Sequence, residues 1–158
     1  MSLSITIAAM APSHLPHVLE IERLSFPTPW SPGLFLHELK LPFSRVRVAH
    51  TSGNGNSALV GYVCWWLVAE EAHILNLAVH PDHRRRGIAA TFVDLVVADA
   101  TEQKATCVTL EVRRDNVPAQ ELYGRFGFDE CGVRRNYYGR GDDAIIMTRQ
   151  VNGAVGSP

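Results

Sequence analysis

The chain has 158 residues, enough for one domain with a true core, and its 46% hydrophobic and 20% charged residues exclude a disordered chain. A formal net charge of -1 argues against a general nucleic-acid binder, and no apolar run is long enough to span a bilayer.

Residues 3–9 alternate and include β-branched side chains, which predicts a first strand. A helix is expected over about residues 15–24, with Val18, Leu19 and Ile21 inward, and Phe26-Pro27-Thr28-Pro29-Trp30 breaks it. Ser31 before Pro32 marks a capped helix start whose apolar stripe is Leu34, Phe35 and Leu39. Residues 45–50 read as a strand and 51–56 as a turn-rich loop, where Asn54-Gly55 favours a tight reversal. Residues 58–68 and 73–79 read as long apolar strands, buried and central. The helix after Gly87 carries Ile88, Phe92, Leu95 and Val96 on one face, with Asp94 and Glu102 off it. Residues 106–112 form another strand. Asn116 caps a helix that has Pro118 in its first turn and runs to about Phe126. Residues 128–135 and 143–149 close the sheet as a final pair.

The tally is a mixed sheet with helices between its strands, ending β-α-β-α-β-β. That is α/β or α+β with an open crevice, not a doubly wound dinucleotide fold. One domain over residues 1–150 is expected, with 151–158 as a small, disordered tail. The first five residues lack the basic start of a secretory signal, which points to the cytoplasm. Cys64, Cys107 and Cys131 are odd in number and far apart, and read as buried free thiols in a reducing compartment.

The most informative stretch is Val79-His80-Pro81-Asp82-His83-Arg84-Arg85-Arg86-Gly87-Ile88-Ala89-Ala90. A strand ends, a basic loop turns at Gly87 and a helix begins at once. The first amides of a helix lack internal partners and carry partial positive charge, so this layout can cradle a phosphate. The small residues Gly87, Ala89 and Ala90 let the phosphate approach the backbone. The plainer alternative is a solvated basic turn. The chain lacks G-x-G-x-x-G after its first strand and lacks G-x-x-x-x-G-K-[ST], so two nucleotide-binding motifs are excluded.

Arg84-x-x-Gly87-x-Ala89 resembles the R/Q-x-x-G-x-G/A motif of the GNAT acetyltransferases, with alanine where glycine is frequent. Leu75-Asn76-Leu77-Ala78-Val79-His80-Pro81 resembles that family's central strand, Asn116 its cofactor-contacting asparagine, and Leu122-Tyr123-Gly124-Arg125-Phe126-Gly127-Phe128 the block after it. The resemblance implies a GNAT fold, a mostly antiparallel mixed sheet flanked by helices with a crevice between the central strands for acetyl-CoA. It implies cofactor contacts from Leu77, Ala78, Val79, Arg84, Arg85, Arg86, Gly87, Ile88, Ala89, Ala90 and Asn116. Leu110-Glu111-Val112-Arg113, Arg134-Arg135-Asn136-Tyr137-Tyr138 and Asp143-Ala144-Ile145-Ile146-Met147 are similar to blocks of the RimI-type ribosomal-protein alanine N-acetyltransferases.

Acetyl transfer to an amine needs the ammonium proton removed and benefits from a proton for the leaving thiolate. Strand alternation places Val108, Leu110 and Val112 on one face and Thr109 and Glu111 on the other. Glu111 reads either as a base or as a carboxylate paired with Arg113 or Arg114. Tyr123 reads either as an acid or as an aromatic core anchor. A phenol of pKa about 10 protonates a thiolate of pKa about 8.5 only slightly uphill. The family resemblance implies Glu111 as proton acceptor, through water, and Tyr123 as proton donor. Deprotonating an α-amine at pH 7 costs about 1–1.4 kcal/mol, against roughly 4.6 kcal/mol for a lysine side chain, so one modest base suits the α-amine.

The acceptor end is expected from Leu24, Phe26 and Trp30 on one side and Tyr137 and Tyr138 on the other. The alternatives are that Phe26 and Trp30 plug the space between two helices and that the tyrosines cover a hairpin. His80-x-x-His83 lacks a third ligand at metal-binding spacing, so no metal is expected. The expectation is a monomeric enzyme that acetylates the N-terminal alanine of a ribosomal small-subunit protein, with no direct nucleic-acid or membrane partner. A lysine or small-molecule amine acetyltransferase on the same fold is the alternative.

Overall fold

The computed structural model describes residues 4–53 and 56–152. The Asn54-Gly55 reversal and the tail from residue 153 lie outside the described residues. Strand β1 (Ser4–Ala9) leads through a 3-10 turn (Pro12–His14) into helices α1 (Leu15–Ser25) and α2 (Pro32–Glu38). Strands β2 (Ser44–Gly53), β3 (Asn56–Val68) and β4 (Glu71–Val79) follow. A second 3-10 turn (Pro81–His83) precedes α3 (Ile88–Glu102), β5 (Cys107–Arg113), α4 (Val117–Arg125), β6 (Asp129–Gly139) and β7 (Asp142–Gln150).

Among the described residues, seven strands form one sheet in the order β1-β2-β3-β4-β5-β7-β6. Strands β1 and β2, β5 and β7, and β6 and β7 pair antiparallel, whereas β4 and β5 run parallel. The parallel register extends from Glu71 opposite Cys107 to Ile74 opposite Leu110, and Leu77, Ala78 and Val79 lie beyond it. The mixed, mostly antiparallel sheet flanked by helices is the architecture read from the sequence.

By contacts the chain divides into two compact units, Met1–Trp65 with Asn76–Phe92, and Trp66–Leu75 with Val93–Pro158. In the first, Val18, Ile21, Phe35, Val48, Val60, Tyr62 and Phe92 are buried. The Ser31 side chain accepts from the Leu34 amide and caps α2, as its sequence predicts. The expected α2 stripe is wrong at Leu34, which is 46% exposed. Glu38 is buried beside Phe35 instead, and Ser44 Oγ donates to its carboxylate at 2.7 Å. Leu19 is only half-buried, and α1 turns Glu22 inward with Val18 and Ile21.

In the second unit, Val93, Val96, Val108, Leu110, Val112, Phe128, Ala144, Ile145 and Met147 form the core. Strand β5 alternates as expected, with Val108, Leu110 and Val112 buried and Thr109 and Glu111 on the other face. Leu95 of α3 is half-buried, and Val93 takes the core position. Ala69 and Glu70, the two residues between β3 and β4, have φ of 52° and 66°. That is the backbone of a type I′ reversal, written without glycine or asparagine. The three cysteines are free thiols, but only Cys64 is buried. Cys107 is half-buried, and Cys131 is exposed because β6 is the edge strand. The Val151 amide donates to the Thr106 carbonyl at 2.9 Å, and the Asn152 side chain donates to the Thr101 carbonyl at 2.8 Å.

Candidate active site

In the first unit, β4 carries Leu77, Ala78 and Val79 into the basic loop. Arg84 folds back, its Nε donating to the Val79 carbonyl at 2.9 Å and its Nη2 to Ser25 Oγ at 3.2 Å. Its side chain therefore braces the loop against the strand end and α1. Arg85 and Gly87 have φ of 65° and 80°. Left-handed residues in such a turn aim successive amides to one side. A Cβ built on Gly87 meets nothing within 4 Å, so the backbone conformation demands glycine and the space in front of it is open.

Helix α3 starts at Ile88, and its first internal bond runs from the Thr91 amide to the Gly87 carbonyl at 3.0 Å. The amides of Ile88, Ala89 and Ala90 thus belong to the helix's open first turn. Ile88 is 2% exposed and can offer only its amide. Arg85 and Arg86 are exposed. Burial, then the charge of Arg86, lowers the pKa of His83 below the ordinary imidazole value. Among the described residues, no three metal-ligating side chains gather.

The same unit contains a buried polar cluster that sequence reasoning missed. Glu22 Oε1 accepts from Tyr62 Oη and, at 2.7 Å, from Asn76 Nδ2, and its Oε2 accepts from the Trp30 amide at 2.8 Å. The carboxylate is 1% exposed and has a donor on each oxygen. It ties α1, β3 and β4 to the backbone of the loop after α1. The Trp30 ring lies 5.1 Å from Phe35, which meets Tyr62 edge-on at 5.6 Å. Trp30 thus rests its half-buried ring on Phe35 of α2 while its amide is anchored to Glu22 of α1. Phe26 is half-buried, and Leu24 is 52% exposed. The available signal was Glu22 itself, a carboxylate in phase with Val18 and Ile21 on the inward face of α1.

In the second unit, the Glu111 side chain is 7% exposed. Its Oε1 lies 2.7 Å from His73 Nε2, and its Oε2 accepts from Arg134 Nε at 3.1 Å. The bond from His73 lowers the pKa of Glu111 below the ordinary carboxylate value, against the cost of burial. The expected pairing of Glu111 with Arg113 or Arg114 does not occur. Arg113 pairs with Asp142 and Arg114 with Asp143, both on the neighbouring strand. His73 was read only as the start of an apolar strand. The signal was a lone histidine opening that run, but its partner is 38 residues away and only the β4–β5 register brings them together.

Tyr123, in the last turn of α4, is buried against Phe128 at 5.6 Å. Burial, then the charge of Tyr138, raises its pKa well above that of an ordinary phenol. Tyr137 and Tyr138 meet edge-on at 5.0 Å. The Arg113 guanidinium lies 4.3 Å from the Tyr138 ring, while Tyr137 is 50% exposed. Burial, then its tyrosine neighbour and Glu111, pushes Tyr138 up to about 12. In the second unit Tyr138 thus feels the charges of Tyr137 and Glu111, and Tyr123 feels that of Tyr138. Asn116 caps α4, its Oδ1 accepting from the Ala119 amide at 3.2 Å.

Residues 15–128 match the acetyltransferase (GNAT) family. A protein of Bacillus subtilis (strain 168), named provisionally as a [ribosomal protein bS18]-alanine N-acetyltransferase, is 39% identical over 86% of this chain and 89% of its own length. The [ribosomal protein bS18]-alanine N-acetyltransferase of Escherichia coli (strain K12) is 29% identical over 93% of this chain and 98% of its own length. The crystal structure of the ribosomal-protein-S18-alanine N-acetyltransferase from Escherichia coli superposes with a TM-score of 0.81, at 29% identity, over 94% of this chain and 95% of that one.

Proposed function

Because the chain belongs to the acetyltransferase (GNAT) family, we propose that it moves the acetyl group of acetyl-CoA to a protein's N-terminal α-amine, with a small-subunit ribosomal protein that begins with alanine as acceptor. The observation that carries this reading is the buried Glu111 carboxylate, held ionised by His73 and Arg134 beside a tyrosine pair. A single anionic centre suits an α-amine, whose proton is lost near neutral pH. Relatives named as alanine N-acetyltransferases over most of this chain support the same acceptor.

The open cradle at Gly87 fits a pyrophosphate. Bound acetyl-CoA would supply a thioester, an acetyl carbonyl with a thiol leaving group. Arg84 shapes the loop, Arg85 and Arg86 add positive charge, and the amides from Gly87 to Ala90 receive phosphate oxygens. Main-chain groups of Leu77, Ala78 and Val79 orient the thioester arm, with Asn116 as a further contact. The acetyl group passes directly to the amine within a ternary complex, with Glu111 as proton acceptor through water and Tyr123 as proton donor to the leaving thiolate. Phe26, Trp30, Tyr137 and Tyr138 receive the acceptor peptide. The enzyme works as a monomer in the cytoplasm.

Peptides beginning with free alanine, assayed beside N-blocked peptides with an internal lysine, test the acceptor class. Acetylation of the free-alanine peptide is expected, and acetylation of the blocked peptide alone would overturn the reading. Intact masses of ribosomal proteins from cells with and without the enzyme identify the natural target by a 42 Da difference, about the mass of one acetyl group in place of hydrogen.

A further inference from the structure

Resting on the reading that this chain acetylates a peptide amine, we propose that Asn136 and Asp143 are positioning residues. They latch a bulge in β6 that turns Tyr137 and Tyr138 together onto the face of Glu111, where the two rings wall the acceptor site. In a regular strand, neighbouring side chains leave on opposite faces. Tyr137 and Tyr138 are neighbours, yet their rings meet edge-on at 5.0 Å. Strand β6 therefore leaves its pleat here, and the register shows where. Arg134 pairs with Ala144 and Gly139 with Asp142, so residues 135–138 stand against Asp143 alone.

Asn136 sits within that bulge with a φ of 55°. Asparagine tolerates this left-handed backbone more readily than most side chains. Its amide donates to Asp143 Oδ1 at 2.9 Å, and its own Oδ1 accepts from the Gly141 amide at 2.7 Å. Asp143 is held in turn by the end of β5. The Arg114 amide donates to its carbonyl at 3.0 Å, and Arg114 Nη1 donates to its Oδ2 at 3.4 Å. The hairpin needs none of this to close, because Gly139 opposite Asp142 leaves Arg140 and Gly141 as a two-residue turn. The extra residues serve the tyrosines they carry.

Both rings then lie on the side of Glu111. Alternation gives Glu111 and Arg113 one face of β5. The Arg113 guanidinium lies 4.3 Å from the Tyr138 ring. Arg134, whose Nε donates to Glu111 Oε2 at 3.1 Å, has its guanidinium 5.8 Å from the Tyr137 ring. Burial, then the charge of Glu111, raises the pKa of Tyr137, in keeping with that placement. A regular strand would send one of the two rings to the opposite face. Bulges that re-aim side chains recur beside active sites.

Two measurements on the full chain test the latch. In wild-type protein, nuclear Overhauser contacts should join the ring protons of Tyr137 and Tyr138. Their absence would overturn the proposal without reference to activity. Asn136→Val places a β-branched residue where φ is positive, which should remove those contacts. It should lower kcat/KM for a free-alanine peptide by about 10²-fold, chiefly through KM, and leave the KM for acetyl-CoA unchanged. Asp143→Ala should act in the same direction from the β7 side, and gives the same contrast should the valine variant fail to fold. Asn136→Gly keeps the left-handed backbone and should stay within about threefold of wild type. A wild-type peptide KM in Asn136→Val or Asp143→Ala, whatever the thermal midpoint, would overturn the proposal, as would a glycine variant as impaired as the valine one. Failure of the wild type to acetylate any amine would refute the reading on which the inference rests. Wild-type acetylation with an unchanged peptide KM in the variants would refute the inference alone.

Discussion

Gly61 of β3 lies so close to Ala78 of β4 that a Cβ at position 61 would sit 2.9 Å from the Ala78 carbonyl oxygen and 3.0 Å from the Phe92 ring. The oxygen is main chain and the ring is fully buried, so neither can yield cheaply. Gly61→Ala should destabilise the protein by about 1–3 kcal/mol. Because the strain falls on the segment from Leu77 to Val79, it should also raise the KM for acetyl-CoA several-fold. Denaturant midpoints and a cofactor titration check both, and an unchanged KM would separate β3 packing from cofactor binding.

Glu22→Gln replaces a carboxylate that only accepts with an amide that must also donate. One of its donors, Tyr62 Oη, Asn76 Nδ2 or the Trp30 amide, then faces an NH2 group. A loss of about 2–3 kcal/mol is expected. The loop after α1 should loosen, raising the KM for peptide more than the KM for acetyl-CoA.

Tyr123→Phe removes the proposed donor and keeps the packing against Phe128. A fall in kcat of about 10²-fold is expected, with little change in thermal midpoint. Burial raises the pKa of Tyr123 and Tyr62, and pushes the Cys64 thiol up to about 12. Groups whose folded pKa is raised contribute stability that is complete below their unfolded pKa and declines as pH climbs above it. Unfolding free energy, referred to these groups, should hold steady below pH 8 and fall progressively above about pH 9–10. The fall should be shallower in Tyr123→Phe, as pH-dependent urea melts would show.

Ala69 and Glu70 hold positive φ without the residues that favour it. Replacing them together with Asn-Gly should stabilise the protein by about 1 kcal/mol. The Glu70 carbonyl, which accepts from the Thr106 amide at 2.7 Å, belongs to the main chain and survives the change. A higher thermal midpoint with unaltered kcat is the expected result.

Local signals were legible where one short stretch contained the whole reason for a structure. Ser31-Pro32 and Asn116 with Pro118 specify helix starts, β5 alternates with a period of two, and Gly87 requires a left-handed backbone. The misses share a different cause. Glu38, with its partner Ser44 six residues on, is buried where Leu34 is exposed, and Cys131 is exposed because β6 ends the sheet. The turn at Ala69-Glu70 follows from the strands it joins rather than from its own residues. His73 and Glu22 gain their meaning from partners on other elements, and strand register is not written in either residue's neighbourhood.

The Glu22 carboxylate receives the backbone amide of position 30 and nothing from its side chain. The path of the loop after α1 is therefore fixed through its main chain rather than through the side chain at position 30. Substitutions at positions 26–30 can change the side chains this loop presents while the anchor holds its course, provided position 30 keeps an N–H. Selection, natural or in the laboratory, can thus vary this loop's surface without renegotiating the fold, and proline at position 30 marks the boundary of that freedom.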